Sequence, residues 1–182
     1  FGFTIFSVSP SLVLKAKKAV CQTIDVNKAV KVQKLFDCTT AEEVDRLIKE
    51  ARDLGIYYIV VLGGEPFFNE SMLDIYEKYN DMYFTPFTNG TLFDEKLANR
   101  LAELGNVMPM FSLEGFKEQT EGRRGEGVFD SVMKGMDLLR EKGIPFGVSS
   151  ATARNNIDIV TSDEYIDMLV EKGARMIWYF MF

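Results

Sequence analysis

Apolar positions along this chain recur in two alternating rhythms. Val44, Leu47, Ile48, Ala51 and Leu54 return every three or four residues, the spacing that lays one apolar stripe along an α-helix. Thr40, with Glu43 three residues later, forms a capping box at its start, and Gly55 stops it in the left-handed conformation. Ile56–Leu62 then runs apolar without interruption, as a strand buried on both faces should. The same grammar predicts a helix from Asp94 through Leu97, Ala98, Leu101 and Leu104 to a stop at Gly105, then a strand over Val107–Leu113. A helix over Val128–Lys142 carries Phe129, Val132, Met133, Met136 and Leu139 on one face; Gly143 ends it and Ile144–Ser150 follows as a strand. Thr161 and Glu164 predict another capping box, Gly173 another stop, and Arg175–Phe182 the last strand, with Phe3–Ser9 and Met82–Phe87 completing the set.

Strands alternating with helices imply right-handed crossovers and a parallel sheet. The pattern alone leaves a doubly wound sheet and an open barrel both possible. In either, ligands gather at the carboxyl ends of the strands. Residues 1–182 read as a single domain, with no linker or low-complexity tract. Because the first residue is Phe1 and not Met, the chain is expected to be a segment lacking N- and C-terminal extensions.

Composition removes several kinds of chemistry. A net charge of −6 argues against general nucleic-acid or anionic-membrane binding, which need basic surfaces. There is no His, which excludes a Ser–His–Asp triad, His-ligated zinc and an imidazole base. Two cysteines, Cys21 and Cys38, are too few for a disulfide scaffold, and the expected location is the cytoplasm. The lysines at 15, 17 and 18 follow the apolar start rather than precede it, unlike a signal peptide.

Chemistry concentrates in the loops after strands. Gly63-Gly64-Glu65-Pro66 pairs two flexible residues, which let a ligand approach the backbone, with a carboxylate able to receive an ammonium group; a tight turn with a solvated Glu accounts for it equally well. Thr88-Asn89-Gly90-Thr91, Ser112-Leu113-Glu114-Gly115, the stretch Glu121 to Phe129 with Arg123 and Arg124, and Ala151 to Asn156 follow the later strands. Singly, each reads as an ordinary turn or a solvated charge.

In this order, and at these strand ends, the segments resemble the core domain of the radical S-adenosylmethionine (radical SAM) superfamily. The resemblance runs over Phe3–Ser11 and Thr40–Phe182. It implies an α/β fold, an open partial TIM-like (β/α)6 barrel with parallel strands, and two cofactors, S-adenosylmethionine and a 4Fe–4S cluster. It also implies that Gly63, Gly64, Glu65 and Pro66 meet the methionine amino group, and that Ser112 and Glu114 line the ribose side. Asn89 and Asn156 fit further positions of the cofactor site. Arg124, in preference to Arg123, would pair with the cofactor carboxylate, since a planar guanidinium matches it in two-pronged fashion. Members of the family cleave the cofactor at the cluster to give a 5′-deoxyadenosyl radical, using electrons from a reductant protein.

The cluster loop departs from the family. Its three cysteine positions fall at Leu14, Lys18 and Cys21, so Cys21 alone remains as a candidate metal ligand, and an ordinary small apolar residue is the plainer reading of it. Residues 12–37 differ from the family throughout. Loss of the cluster, a local sequence error, and ligands supplied from elsewhere each account for this, and catalysis stands in question. Two alternatives complete the set: a non-catalytic barrel holding a nucleoside-like or peptide ligand, and a carboxylate- and Mg²⁺-dependent barrel built on Glu65 and Glu114. The substrate, small molecule or peptide, is not legible.

Overall fold

A computed structural model describes residues 2–4, 40–62 and 64–181. The elements run β1 (Gly2–Thr4), α1 (Ala41–Asp53), β2 (Tyr58–Leu62), a 3-10 turn (Pro66–Phe68), α2 (Ser71–Lys78), β3 (Tyr83–Thr88), α3 (Glu95–Leu104) and β4 (Met110–Ser112). They continue with α4 (Lys117–Arg124), α5 (Val128–Glu141), β5 (Gly147–Thr152), α6 (Ile157–Val160), α7 (Asp163–Lys172) and β6 (Met176–Met181). Strand order in the sheet is the order in the chain.

Strands β2 to β6 are parallel, as expected. β1 is not: it pairs antiparallel to β2, with Gly2 opposite Leu62 and Thr4 opposite Val60. The edge of β2 presents the same N–H and C=O groups to a strand of either direction, and three residues carry too little face pattern to fix one. The remainder of the expected first strand lies outside the described residues.

Alternation along the strands sends one set of side chains outward. Ile59, Val61, Phe84, Phe111 and Val148 pack there against Leu47, Ile75, Leu101, Met136 and Leu139 of the helices. The opposite set lines a concave face. Rings of Phe87 on β3 and Trp178 on β6 meet across that face with centroids 5.7 Å apart. Three flat-sheet spacings would separate those strands by about 14 Å. The sheet is therefore curled into a half-barrel.

Local chemistry explains most element ends. Thr40 and Glu43 form the reciprocal cap of α1, each bond 3.3 Å, and Asp94 caps α3 by accepting from Leu97 N at 2.8 Å. The box expected at Thr161 and Glu164 is absent. Thr161 closes α6 instead, its hydroxyl donating to Ile157 O at 2.7 Å, and Ser162 caps α7 by accepting from Tyr165 N. Two helices carry no advance signal. In eight residues α2 has room only for Met72, Ile75 and Tyr76 as an apolar face, and α4 is polar with Thr120 alone buried.

The ladder between β3 and β4 is interrupted. Phe84 bridges Val107 and Phe87 pairs Met110, with Pro86, which has no N–H, in the gap. Below it, the buried Asn106 side chain donates to the carbonyls of Tyr76, Tyr79 and Met82 at 2.9–3.2 Å, which ties the end of α2 to the start of β3.

Candidate functional site

The carboxyl ends of β2 and β3 form one half of a mouth. After β2 the chain turns through Gly64, exposed and at φ +52°, a conformation that favours glycine. Pro66 is buried at the first position of the 3-10 turn, which fixes the direction of exit. Glu65, between them, is half-buried, and its carboxylate accepts from Phe67 N at 3.3 Å, the Thr88 hydroxyl at 2.8 Å and Asn89 N at 2.8 Å. All three donors are neutral. No Lys or Arg among the described residues forms an ion pair with Glu65, so within that set its carboxylate is held by neutral donors alone.

Thr88 links the two loops. It donates to Glu65 and accepts from Gly90 N at 3.1 Å, while Asn89 Oδ1 accepts from Thr91 N and the Thr91 hydroxyl. Gly90 sits at φ +77°, and a Cβ there would come within 2.6 Å of Val132 Cγ2. The asparagine–glycine turn is thus demanded by close packing on α5. Beneath it, the Tyr76 phenol is fully buried and has no hydrogen-bond partner among the described residues. Burial first, and the Glu65 charge second, push its pKa far above the ordinary range.

The ends of β4 and β5 form the other half and are built differently. Glu114 is 2 % exposed. One carboxylate oxygen accepts from Arg124 Nε at 3.0 Å and from Arg124 Nη2, with Arg123 Nε 3.7 Å away; the other accepts from Ala151 N at 2.9 Å. Asn156 closes the same knot. Its amide nitrogen donates to Glu114 O and Ala151 O, both 3.0 Å, and its oxygen accepts from Ala153 N at 2.8 Å. Thr120 adds a further tie, donating to Gly115 O and accepting from Glu114 N.

The structure thus gathers the expected site residues into two groups. Glu65 meets Asn89 beside Gly64 and Pro66, and Glu114 meets Arg124 and Asn156. Arg124 presents its two-donor edge to Glu114. Ser112 faces the concave side, its hydroxyl 3.4 Å from that of Ser149. Gly63, Leu14, Lys18, Cys21 and Cys38 lie outside the described residues. Thr88, Thr120 and Ser149 join the network without having been singled out from the sequence. For Thr88 the signal was available, because it stands one residue before Asn89 at a strand end. Among the described residues no group of three or more Cys, Asp or Glu is arranged to hold a metal ion. No described helix is long and apolar enough to cross a membrane.

Comparison with known proteins agrees with this architecture. The sequence model of the Radical SAM superfamily matches residues 25–174. The match takes in residues 25–37, which were expected to differ from the family, and does not extend over residues 1–24, which contain positions 14, 18 and 21. Fe-coproporphyrin III synthase of Methanosarcina barkeri is 28% identical over 144 residues, covering 78% of this chain and 36% of its own length. A probable GTP 3',8-cyclase of Thermoplasma volcanium is 29% identical over 139 residues, covering 73% of this chain and 42% of its own. Streptococcus suis SuiB, solved bound to S-adenosylmethionine, superposes with a TM-score of 0.63 at 20% identity, over 80% of this chain and 34% of that one. The chain therefore spans roughly a third to two-fifths of the length of these relatives.

Proposed function

As the chain belongs to the radical SAM superfamily, we propose that its strand-end mouth binds S-adenosylmethionine, with Glu65 receiving the methionine ammonium. The observation that carries this reading is the state of the Glu65 carboxylate. Three neutral donors fix its orientation, and no Lys or Arg among the described residues pairs with it. Each carboxylate oxygen has about two acceptor directions, so an ammonium can still be received. Exposed Gly64, with no side chain, leaves the approach open. Glu114, Arg124 and Asn156 hold the opposite loop in shape by binding each other, and in this reading they support the mouth from behind.

The donor set does not fit the family's cluster. A 4Fe–4S cluster is held by Cys thiolates, and radical SAM members use three. The whole chain has two cysteines and no His. The reading is therefore a cofactor-binding barrel that does not assemble the cluster from its own side chains. The activities in the relatives' names, Fe-coproporphyrin III synthase and GTP 3',8-cyclase, belong to chains roughly twice as long and do not name a substrate for this one.

Calorimetry with S-adenosylmethionine tests the first part. Wild type should bind, and Glu65→Ala should weaken binding at least tenfold, a loss of about 1.4 kcal/mol; equal affinities would overturn the assignment. Anaerobic reconstitution with iron and sulfide tests the second. Iron well below four per chain is expected, and a near-stoichiometric cluster would refute it.

A further inference from the structure

On its helical side the half-barrel carries a groove of about 650 Å³, lined by the 3-10 turn, α2, α3 and the loop that enters α3. None of the residues assigned to the mouth lines it. Its apolar part is built around two successive phenylalanines. Phe67 is buried and meets Phe93 edge to face, with centroids 5.3 Å apart. Successive side chains of a 3-10 turn point about 120° apart, so with Phe67 held in the core the next ring is directed outward. Phe68 is accordingly 80% exposed, and Leu92, on the same groove, is 40% exposed. Half-buried Leu73 and Leu97 complete the apolar lining. Four carboxylates and two cations surround it. Both cations are engaged, Arg100 with Glu77 at 2.6 Å and Glu103 at 3.5 Å, and Lys96 with Glu70 at 3.1 Å. Asp74 and Asp94 form no ion pair among the described residues. Asp94 accepts from Leu97 N as the cap of α3, and Asp74 is exposed.

We propose that this groove docks a basic, apolar-centred peptide segment of another protein, whose apolar side chains pack on Phe68 and Leu92 and whose Lys or Arg side chains reach Asp74 and Asp94. Three points carry the inference. A nearly fully exposed phenylalanine beside a second exposed apolar residue, ringed by charge, has the form of an interaction site: an apolar centre with a polar rim. A concave strip between two helices accepts an amphipathic segment laid along it. The surplus of carboxylates then selects the sign of the occupant, because opposite potentials steer association and like charges oppose it. A second copy of this chain, at net charge −6, meets the groove with the wrong sign on average. The inference is independent of the cofactor reading and concerns a different face.

A random peptide library displayed on phage is panned against the full chain, and synthetic copies of the selected peptides are titrated by fluorescence anisotropy. The selected sequences should carry Lys or Arg around an apolar centre, and raising the salt from about 0.05 to about 0.5 M should weaken them at least tenfold. Phe68→Ser and Asp74→Lys should each weaken them at least tenfold. Both side chains are exposed, so the thermal unfolding midpoint should match wild type. Lys96→Ala, which removes a cation from the same groove, should not weaken them. No selected binder, acidic or charge-indifferent binders, or binding that ignores Phe68→Ser and Asp74→Lys would each overturn the proposal. Weaker binding by Lys96→Ala would overturn its charge logic. Sedimentation showing a dimer that Phe68→Ser dissociates would assign the groove to a second copy of the chain and overturn the basic partner.

Discussion

Two carboxylates close the two halves of the mouth, and they are held in opposite ways. Glu114 is buried, bonded to a guanidinium and a backbone amide, with its charge neutralised inside the protein. Glu65 is half-buried and, among the described residues, bonded only to neutral donors. The same residue type at equivalent strand ends therefore does different work. The paired one joins β4, α4 and β5 into a rigid unit. The other, with no cationic partner among the described residues, keeps a directed carboxylate, which the proposed function assigns to a cationic ligand. Sequence motif alone placed both in the cofactor site, and only the partner of each distinguishes them.

Removing one member of the buried pair should have the largest effect. Glu114→Ala leaves Arg124 without its partner and should cost about 3–5 kcal/mol in urea unfolding, whereas Glu114→Ala with Arg124→Met should recover most of that loss. Additive losses in the double variant would show that the pair is not one unit. On the other half, Thr88→Val removes the hydroxyl that orients Glu65 and leaves Gly90 N without its acceptor. A loss of about 1–3 kcal/mol is expected, with weaker S-adenosylmethionine binding by calorimetry; unchanged binding would mean that Glu65 needs no orienting. The smallest effect should come from Arg123→Ala. Its Nε is 3.7 Å from Glu114 and its side chain is 53% exposed, so stability should change by no more than about 0.5 kcal/mol. A larger loss would move Arg123 into the buried unit and blur the contrast with Glu65.

Much of the scaffold was readable because it is encoded locally. The capping box at Thr40, the cap at Asp94 and the glycine stops at 55, 105, 143 and 173 each act within one turn, and each appears where the pattern placed it. The short helix α2 and the polar helix α4 were not readable, because tertiary contact rather than an amphipathic stripe defines them. The direction of β1 was not readable either, since three residues do not encode it. At the site, the motifs gave position but not partnership. That Arg124 reaches Glu114, ten residues earlier, and that Asn156 ties Glu114 to Ala151, depend on how β4 and β5 lie side by side. The contact of Phe87 with Trp178 needed the curl of the sheet, which no single strand reveals.

The proline in β3 has a mechanical consequence. Backbone pairing runs through the whole sheet, and β3 meets β4 at Phe84–Val107 and again at Phe87–Met110 and Thr88–Phe111, with Pro86 withholding one N–H between them. With one ladder donor missing, β3 and β4 hold together through fewer backbone bonds than a full pair of their length, and that thinner stretch lies between the strand ends that carry Glu65 and Glu114.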